Sequence, residues 1–191
     1  MAQTIIIKNG TGTPGNGNVV KGELALNTDS GSLYYGDTNG NVQLLVDKNV
    51  FIQMSCTDET TNINAASAEI VDFSVVDVVS SASDFSNSSG EVTVNVAGVY
   101  EIYFTIIMYS LVVRANPWIR VNHNGYMTDI TGGTYIRNAS GHRRSNSQST
   151  GLLTIAAGDT INVKSMYSSA WGASGDVTMK DGTKLIIRKI G

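Results

Sequence analysis

Few residues in this chain are of types that do chemistry, and their spacing is poor for it. His123 and His142 are the only histidines and Cys56 the only cysteine. A Ser-His-Asp relay needs a nucleophile on a strained elbow and a carboxylate orienting the imidazole, and neither pattern accompanies either histidine. The two read as a turn residue and a loop residue. No His/Cys cluster has zinc spacing. Asp37-Thr38-Asn39-Gly40-Asn41 is superficially like a calcium loop, but the twelfth position is Lys48 where a bidentate Glu is required, and no helices flank it. Turn chemistry accounts for these residues. Asp129, Asp159 and Asp176 are only isolated possibilities for calcium, which stays open without an assignable ligand set; no other cofactor is expected. The glycines of residues 9–18 lack the strand and helix of a phosphate loop and read as a flexible loop. Paired carboxylates for glycan cleavage stay open as a remote alternative, with Trp118 and Trp171 able to line a sugar groove. A polysaccharide-cleaving enzyme would need a longer chain for a processive groove, so no enzymatic activity is expected.

Binding chemistry is better represented. Gly132-Gly133 opens a stretch, residues 135–148, in which Arg137, His142, Arg143 and Arg144 stand among Asn, Ser and Gly. It reads as a long exposed loop, and Arg pairs bidentately with carboxylate or phosphate, as on an acidic glycan. Residues 167–172 carry Tyr167 and Trp171, a stacking platform for sugar rings or a plug at the base of an oligomer. The charges are uneven along the chain. No Lys or Arg lies between Lys48 and Arg114, where Asp58, Glu59, Glu69, Asp72, Asp77, Asp84, Glu91 and Glu101 fall; Arg114, Arg120, Arg137, Arg143 and Arg144 follow, with Asp129 the sole acid among them. Either the two signs segregate in space and steer a partner, or antiparallel pairing brings them together.

The elements that must position these residues are strands. The chain has 191 residues, is 41% hydrophobic but only 15% charged, and holds 20 glycines against 2 prolines. Ser, Thr, Asn and Gly carry the polarity, a composition of turns and solvated strand faces. A net charge of −3 argues against general nucleic-acid binding. No apolar run matches a membrane span, and the first residues lack the basic start of a signal peptide. Strands are predicted at 23–26, 32–35 and 42–46, with Asn39-Gly40 as a type I′ hairpin turn. After a connection at 47–55 come runs at 70–79, 91–96, 99–111, 118–121, 151–155, 160–167 and 184–190, separated by turn signals that include Asn124-Gly125. Residues 64–69 are the one weak helical candidate. This spacing predicts an antiparallel sandwich. The run at 99–109 is apolar on both faces. Tyr100, Ile102, Phe104, Ile106 and Met108 suit a core, while Tyr103, Ile107 and Tyr109 sit on the opposite side, where water would be expected. A neighbouring subunit is the expected cover, ahead of a loop of the same chain.

Two resemblances add to this. Residues 22–37, Gly-Glu-Leu-Ala-Leu-Asn-Thr-Asp-Ser-Gly-Ser-Leu-Tyr-Tyr-Gly-Asp, resemble a module at the N-terminus of many phage fibre proteins, including the N-terminal domain of the major tropism determinant family. Gly22, Glu23, Thr28, Asp29, Gly31, Leu33, Gly36 and Asp37 hold its motif positions. That resemblance implies a virion context and an intertwined trimer. Ala97-Gly98-Val99-Tyr100-Glu101-Ile102, Ile119 onward to Asn124-Gly125, Leu152 onward to Ala157-Gly158-Asp159, and the closing Leu185 to Ile190 are similar, in order, to segments of the TNF-like jelly rolls, which include complement-type heads. That resemblance implies a compact trimer, with the last strand beside the first in the inner sheet. The expectation is an all-β protein: a small N-terminal β-meander or prism-like module at 1–50 for virion attachment and trimerisation, then a jelly-roll head at 51–191. Glu23, Leu24, Leu26, Asp29, Leu33 and Tyr35 are the candidate docking residues of the first. The expected function is that of a non-enzymatic bacteriophage structural protein made in the host cytoplasm, a trimeric tail-fibre or spike tip for host-surface binding. A capsid decoration or cement protein of the same fold is the alternative. Expected partners are copies of itself, other virion proteins, and a host-surface glycan or protein, with no nucleic acid and no membrane insertion.

Overall fold

The structure is a computed structural model that describes residues 7–46, 49–137, 142–168 and 175–191. It divides into two compact units, Met1–Asn49 and Val50–Gly191. No helix occurs among the described residues, 64–68 included.

The first unit is a sheet of β1 (Ile7–Gly10), β2 (Leu24–Asn27), β3 (Leu33–Gly36) and β4 (Val42–Val46), in that spatial order. β2 to β4 form the expected meander. β1 corrects the loop expected at 9–18, because Asn9 and Gly10 pair in parallel with Leu26 and Asn27. The backbone N–H and the hydroxyl of Thr28 both donate to the Gly10 carbonyl, at 2.8 and 3.1 Å. The turn at Asn39-Gly40 is also not the expected type I′, for only Gly40 has positive φ, 77°. The Asp37 carboxylate decides it, accepting the N–H groups of Asn39 and Asn41 at 2.8 Å each and closing an Asx loop. The type I′ turn occurs instead at Asn124-Gly125, with φ of 49° and 84°. Among the described residues of this unit only Val19 and Ala25 are buried hydrophobics.

The second unit is a sandwich of two sheets. The inner sheet runs β13 (Arg144–Ile155), β10 (Gly98–Ser110), β16 (Lys184–Lys189), β5 (Phe51–Ser55), β7 (Val75–Val79), with β15 (Val177–Met179) also beside β10. The outer sheet runs β12 (Tyr126–Gly133), β11 (Pro117–His123), β14 (Asp159–Tyr167), β9 (Glu91–Val94), β8 (Phe85–Ser88), with β6 (Glu69–Ile70) beside β14. Between them lies one core: Ile102, Phe104, Ile106, Ile52 and Leu185 from the inner sheet meet Ile119, Val121, Ile161, Val163 and Val92 from the outer. Tyr100 joins this core and sends its hydroxyl to the Val96 carbonyl at 2.6 Å. As the jelly-roll resemblance implied, the last strand pairs with the first of this unit, Ile187 opposite Ile52.

Three expectations need correction. The connection expected to extend to residue 55 ends before β5, whose Ile52 and Met54 are core residues. The run at 70–79 is two strands in different sheets, because Val71 and Phe73 bury themselves where the chain crosses the sandwich. The exposed loop expected at 135–148 stops at Arg144, where β13 begins its pairing with Tyr109. β8 and β12 were not foreseen.

Phe104 faces Ser149 across the ladder, and a Cβ at Gly132 would lie 3.1 Å from the Phe104 ring. The ring therefore fills a space closed on several sides. Phe104→Ala is expected to cost about 3–5 kcal/mol, read as a lowered urea midpoint at unchanged slope.

Candidate functional site

Strand alternation gives the inner sheet a second face. Opposite the core row, β10 presents Glu101, Tyr103, Thr105, Ile107 and Tyr109, all half-buried. The register extends this face sideways. Tyr103 stands between Thr150 and Ile186, Ile186 faces Gln53, and Gln53 faces Val78. In the next row Leu152, Glu101, Arg188 and Phe51 stand in line, and Arg188 donates to the Glu101 carboxylate at 2.7 Å. Val78 is 50% and Leu152 60% exposed. This ion pair thus lies within a broad face that mixes aromatic, aliphatic and polar side chains. Ile186 and Val78 escaped the sequence reading because their neighbours are far away in the chain; the alternation of Leu185 and Ile187 inward with Ile186 outward was the available signal.

At one end this face becomes basic. Arg143 donates to the Tyr109 hydroxyl at 3.1 Å, Arg144 stands opposite Tyr109, and the Lys180 ammonium lies 5.9 Å from its ring. The structure so joins a candidate interface residue to the candidate arginines. Lys180 is held by Glu59, whereas Arg137, Arg143 and Arg144 enter no ion pair among the described residues. Arg137, His142 and Arg143 are exposed beside residues 138–141, which lie outside the described ones. Tyr167 ends β14, its N–H donating to Ala65, and does not join this group; Trp171 lies outside the described residues. No ion pair among the described residues joins the acidic stretch to the basic one, Glu59 and Glu101 pairing with Lys180 and Arg188 instead; a separate contact joins His123 to Asp159.

That pair is structural. His123 donates from Nε2 to Asp159 at 2.8 Å, Asn124 from Nδ2 at 2.8 Å and the Ala156 N–H at 2.9 Å, while the Asn124 carbonyl oxygen accepts from Thr160. The cluster latches the β11–β12 hairpin to the turn before β14. No serine hydroxyl bonds to the pair among the described residues. Asp37 is satisfied by amides and Asp176 accepts from Asn62 at 3.1 Å. No group of three His, Cys, Asp or Glu side chains suited to a metal occurs among the described residues. Cys56 is buried in the core, which pushes its thiol up to about 11 and makes it a poor nucleophile.

In the first unit, Leu24 pairs with Tyr35 and Leu26 with Leu33, so these docking candidates share one sheet face, with Leu26 and Tyr35 exposed. Glu23 is committed locally to Lys8, at 2.6 Å, and to the Val20 N–H. Asp29 is exposed in the turn capped by Asn27.

The arrangement of the sandwich has close counterparts among solved structures. Murine APRIL at pH 5.0 superposes with a TM-score of 0.56 at 15% identity, covering 75% of this chain and 100% of that one. Eiger TNF from S. frugiperda gives 0.56 at 12% identity, over 75% and 94%. The fold is a TNF-like jelly roll. At these identities the likeness concerns the fold alone. No protein-family model matches the sequence, and no curated protein does.

The latch of this jelly roll carries a pH signature. The amide, backbone and imidazole donors hold the Asp159 carboxyl at about 2, below its ordinary 3.8. A depressed carboxyl contributes stability above the unfolded pKa and loses it as pH falls through the folded one. The difference in melting temperature between the native chain and Asp159→Asn should stand at its full value at pH 5. It should then shrink between about pH 4 and pH 2 in a calorimetric series.

Proposed function

We propose that this chain is a non-enzymatic structural protein of a bacteriophage virion, a trimeric tail-fibre or spike tip. In this reading the jelly roll is a knob for host-surface binding, and residues 1–50 form the module that trimerises and docks to the particle. The observation that carries the reading is the outward face of the inner sheet. Tyr103, Ile107 and Ile186 lie there half-buried beside exposed Val78 and Leu152, an apolar surface suited to self-association. The jelly-roll resemblance of the sequence implies three subunits.

The first unit supports the same reading from another direction. With Val19 and Ala25 as its buried hydrophobics among the described residues, and Ile7, Val20, Leu44 and Leu45 about half exposed, it has too small a core to stand alone. Copies of itself and a virion protein are the proposed cover. Arg137, Arg143 and Arg144, in no ion pair among the described residues, are the proposed contact to acidic groups on the host surface.

The test has two parts. Light scattering coupled to size exclusion should give the mass of three chains for the native protein. A double variant, Tyr103→Glu with Ile107→Glu, should elute as a folded monomer; a native monomer would overturn the reading. Gold-labelled antibody on intact particles should then mark tails, and labelled capsids would place the protein on the head instead.

A further inference from the structure

The outward face of the outer sheet carries a constellation unconnected with self-association. In one row Gly133, Trp118 and Met166 stand side by side, and in the next Thr131, Arg120, Lys164 and Ile70. The Arg120 guanidinium lies 3.6 Å from the centre of the Trp118 ring, and its Nη1 is 3.8 Å from the Met127 sulfur. Ala68, Met127 and Met166 pack closely around this stack, with no room for a water between them. Trp118 stays 38% exposed, and Gly133 beside it has no side chain to cover the indole.

The electrostatics of this patch are unbalanced. Arg120 Nε is buried and has no hydrogen-bond acceptor, and neither Arg120 nor Lys164 joins an ion pair among the described residues. The nearby acids do not supply the missing partner. Glu69 accepts from Ser67, Glu91 accepts from Asn162, and Asp129 on β12 is exposed without an ion pair. A guanidinium held over an indole at this distance keeps its planar fork of donors, the geometry that a carboxylate meets with two parallel bonds. A Trp face edged by thioethers offers apolar surface to the C–H groups of a ring.

We infer that this face is a binding subsite for a carboxylate-bearing sugar such as a uronic acid residue of a polysaccharide. The carboxylate lies against Arg120 and Lys164, and the pyranose ring packs on the part of the Trp118 indole that Arg120 leaves exposed. The subsite needs only the folded jelly roll and stands apart from the virion reading.

Purified full-length chain carrying Trp171→Phe, so that Trp118 is the sole indole, is titrated with a glucuronate-containing oligosaccharide while emission is followed. The same oligosaccharide with its carboxyl groups reduced to alcohols serves as the neutral probe. Saturable change is expected with the acidic sugar and binding about tenfold weaker with the neutral one. Arg120→Met and Lys164→Met should each weaken the acidic sugar by about tenfold without changing the melting temperature by more than a few degrees. Arg120→Lys, which keeps the charge but loses the planar fork, should fall near Arg120→Met. Equal binding of both sugars, full affinity in Arg120→Met, or no response at millimolar acidic sugar would each overturn the inference.

Discussion

The second unit depends on the two-sided pairing of β10. Its backbone bonds to β13 along nearly its whole length on one edge and to β16 and β15 on the other. Because strand side chains alternate with a period of two, fixing both ladders also fixes which residues face the opposing sheet. Tyr100, Ile102, Phe104, Ile106 and Met108 are fully buried as one row, and Glu101 to Tyr109 are turned away as the other. A slip of one residue would exchange the rows and place Glu101 in the core. The same constraint that builds the core therefore sets the identity of the outward face.

Facing that strand, β13 is built of small residues. Ser145, Ser147, Ser149 and Gly151 stand opposite Met108, Ile106, Phe104 and Ile102. A Cβ at Gly151 would lie 2.5 Å from Ile130, so the large side chains of β10 and β12 occupy the volume that β13 leaves empty. This large-to-small complementarity explains why a Ser- and Gln-rich segment belongs to a central sheet. The turns follow a related economy. In a chain with few charges, Asn27, Asp37, Asp58 and Asp159 each hold a reversal by accepting backbone N–H groups.

These devices also mark what could be read from sequence. β10 was legible because its apolar alternation is unbroken, and the Asn124-Gly125 turn because both residues tolerate positive φ. The first half of β13 was not, since its inward side chains are small polar ones that carry no hydrophobic period. β5 was hidden for a different reason: Ile52 and Met54 alternate over a span too short to distinguish from a connection. Tyr103, Ile107 and Tyr109 could be assigned to one face from spacing alone. That Ile186 and Gln53 continue their row, or that Arg143 reaches the Tyr109 hydroxyl, depends on register between distant strands, which no local pattern encodes.

The two outward faces of the sandwich differ in a way that bears on their uses. On the inner sheet Arg188 pairs with Glu101 beside half-buried Tyr103, Ile107 and Ile186, Asp77 is held by Gln53 and Ser55, and Arg143 and Arg144 at one end enter no ion pair among the described residues. The Arg188–Glu101 pair lowers the cost of covering its part of the face with an identical one, since both ions there keep a partner. On the outer sheet the cations of Arg120 and Lys164 enter no ion pair among the described residues, and covering them with a copy of the same face would bring like charges together. Self-association thus favours the inner face on apolar grounds, and it leaves the Trp118 side of the fold open to an anion that no described residue provides.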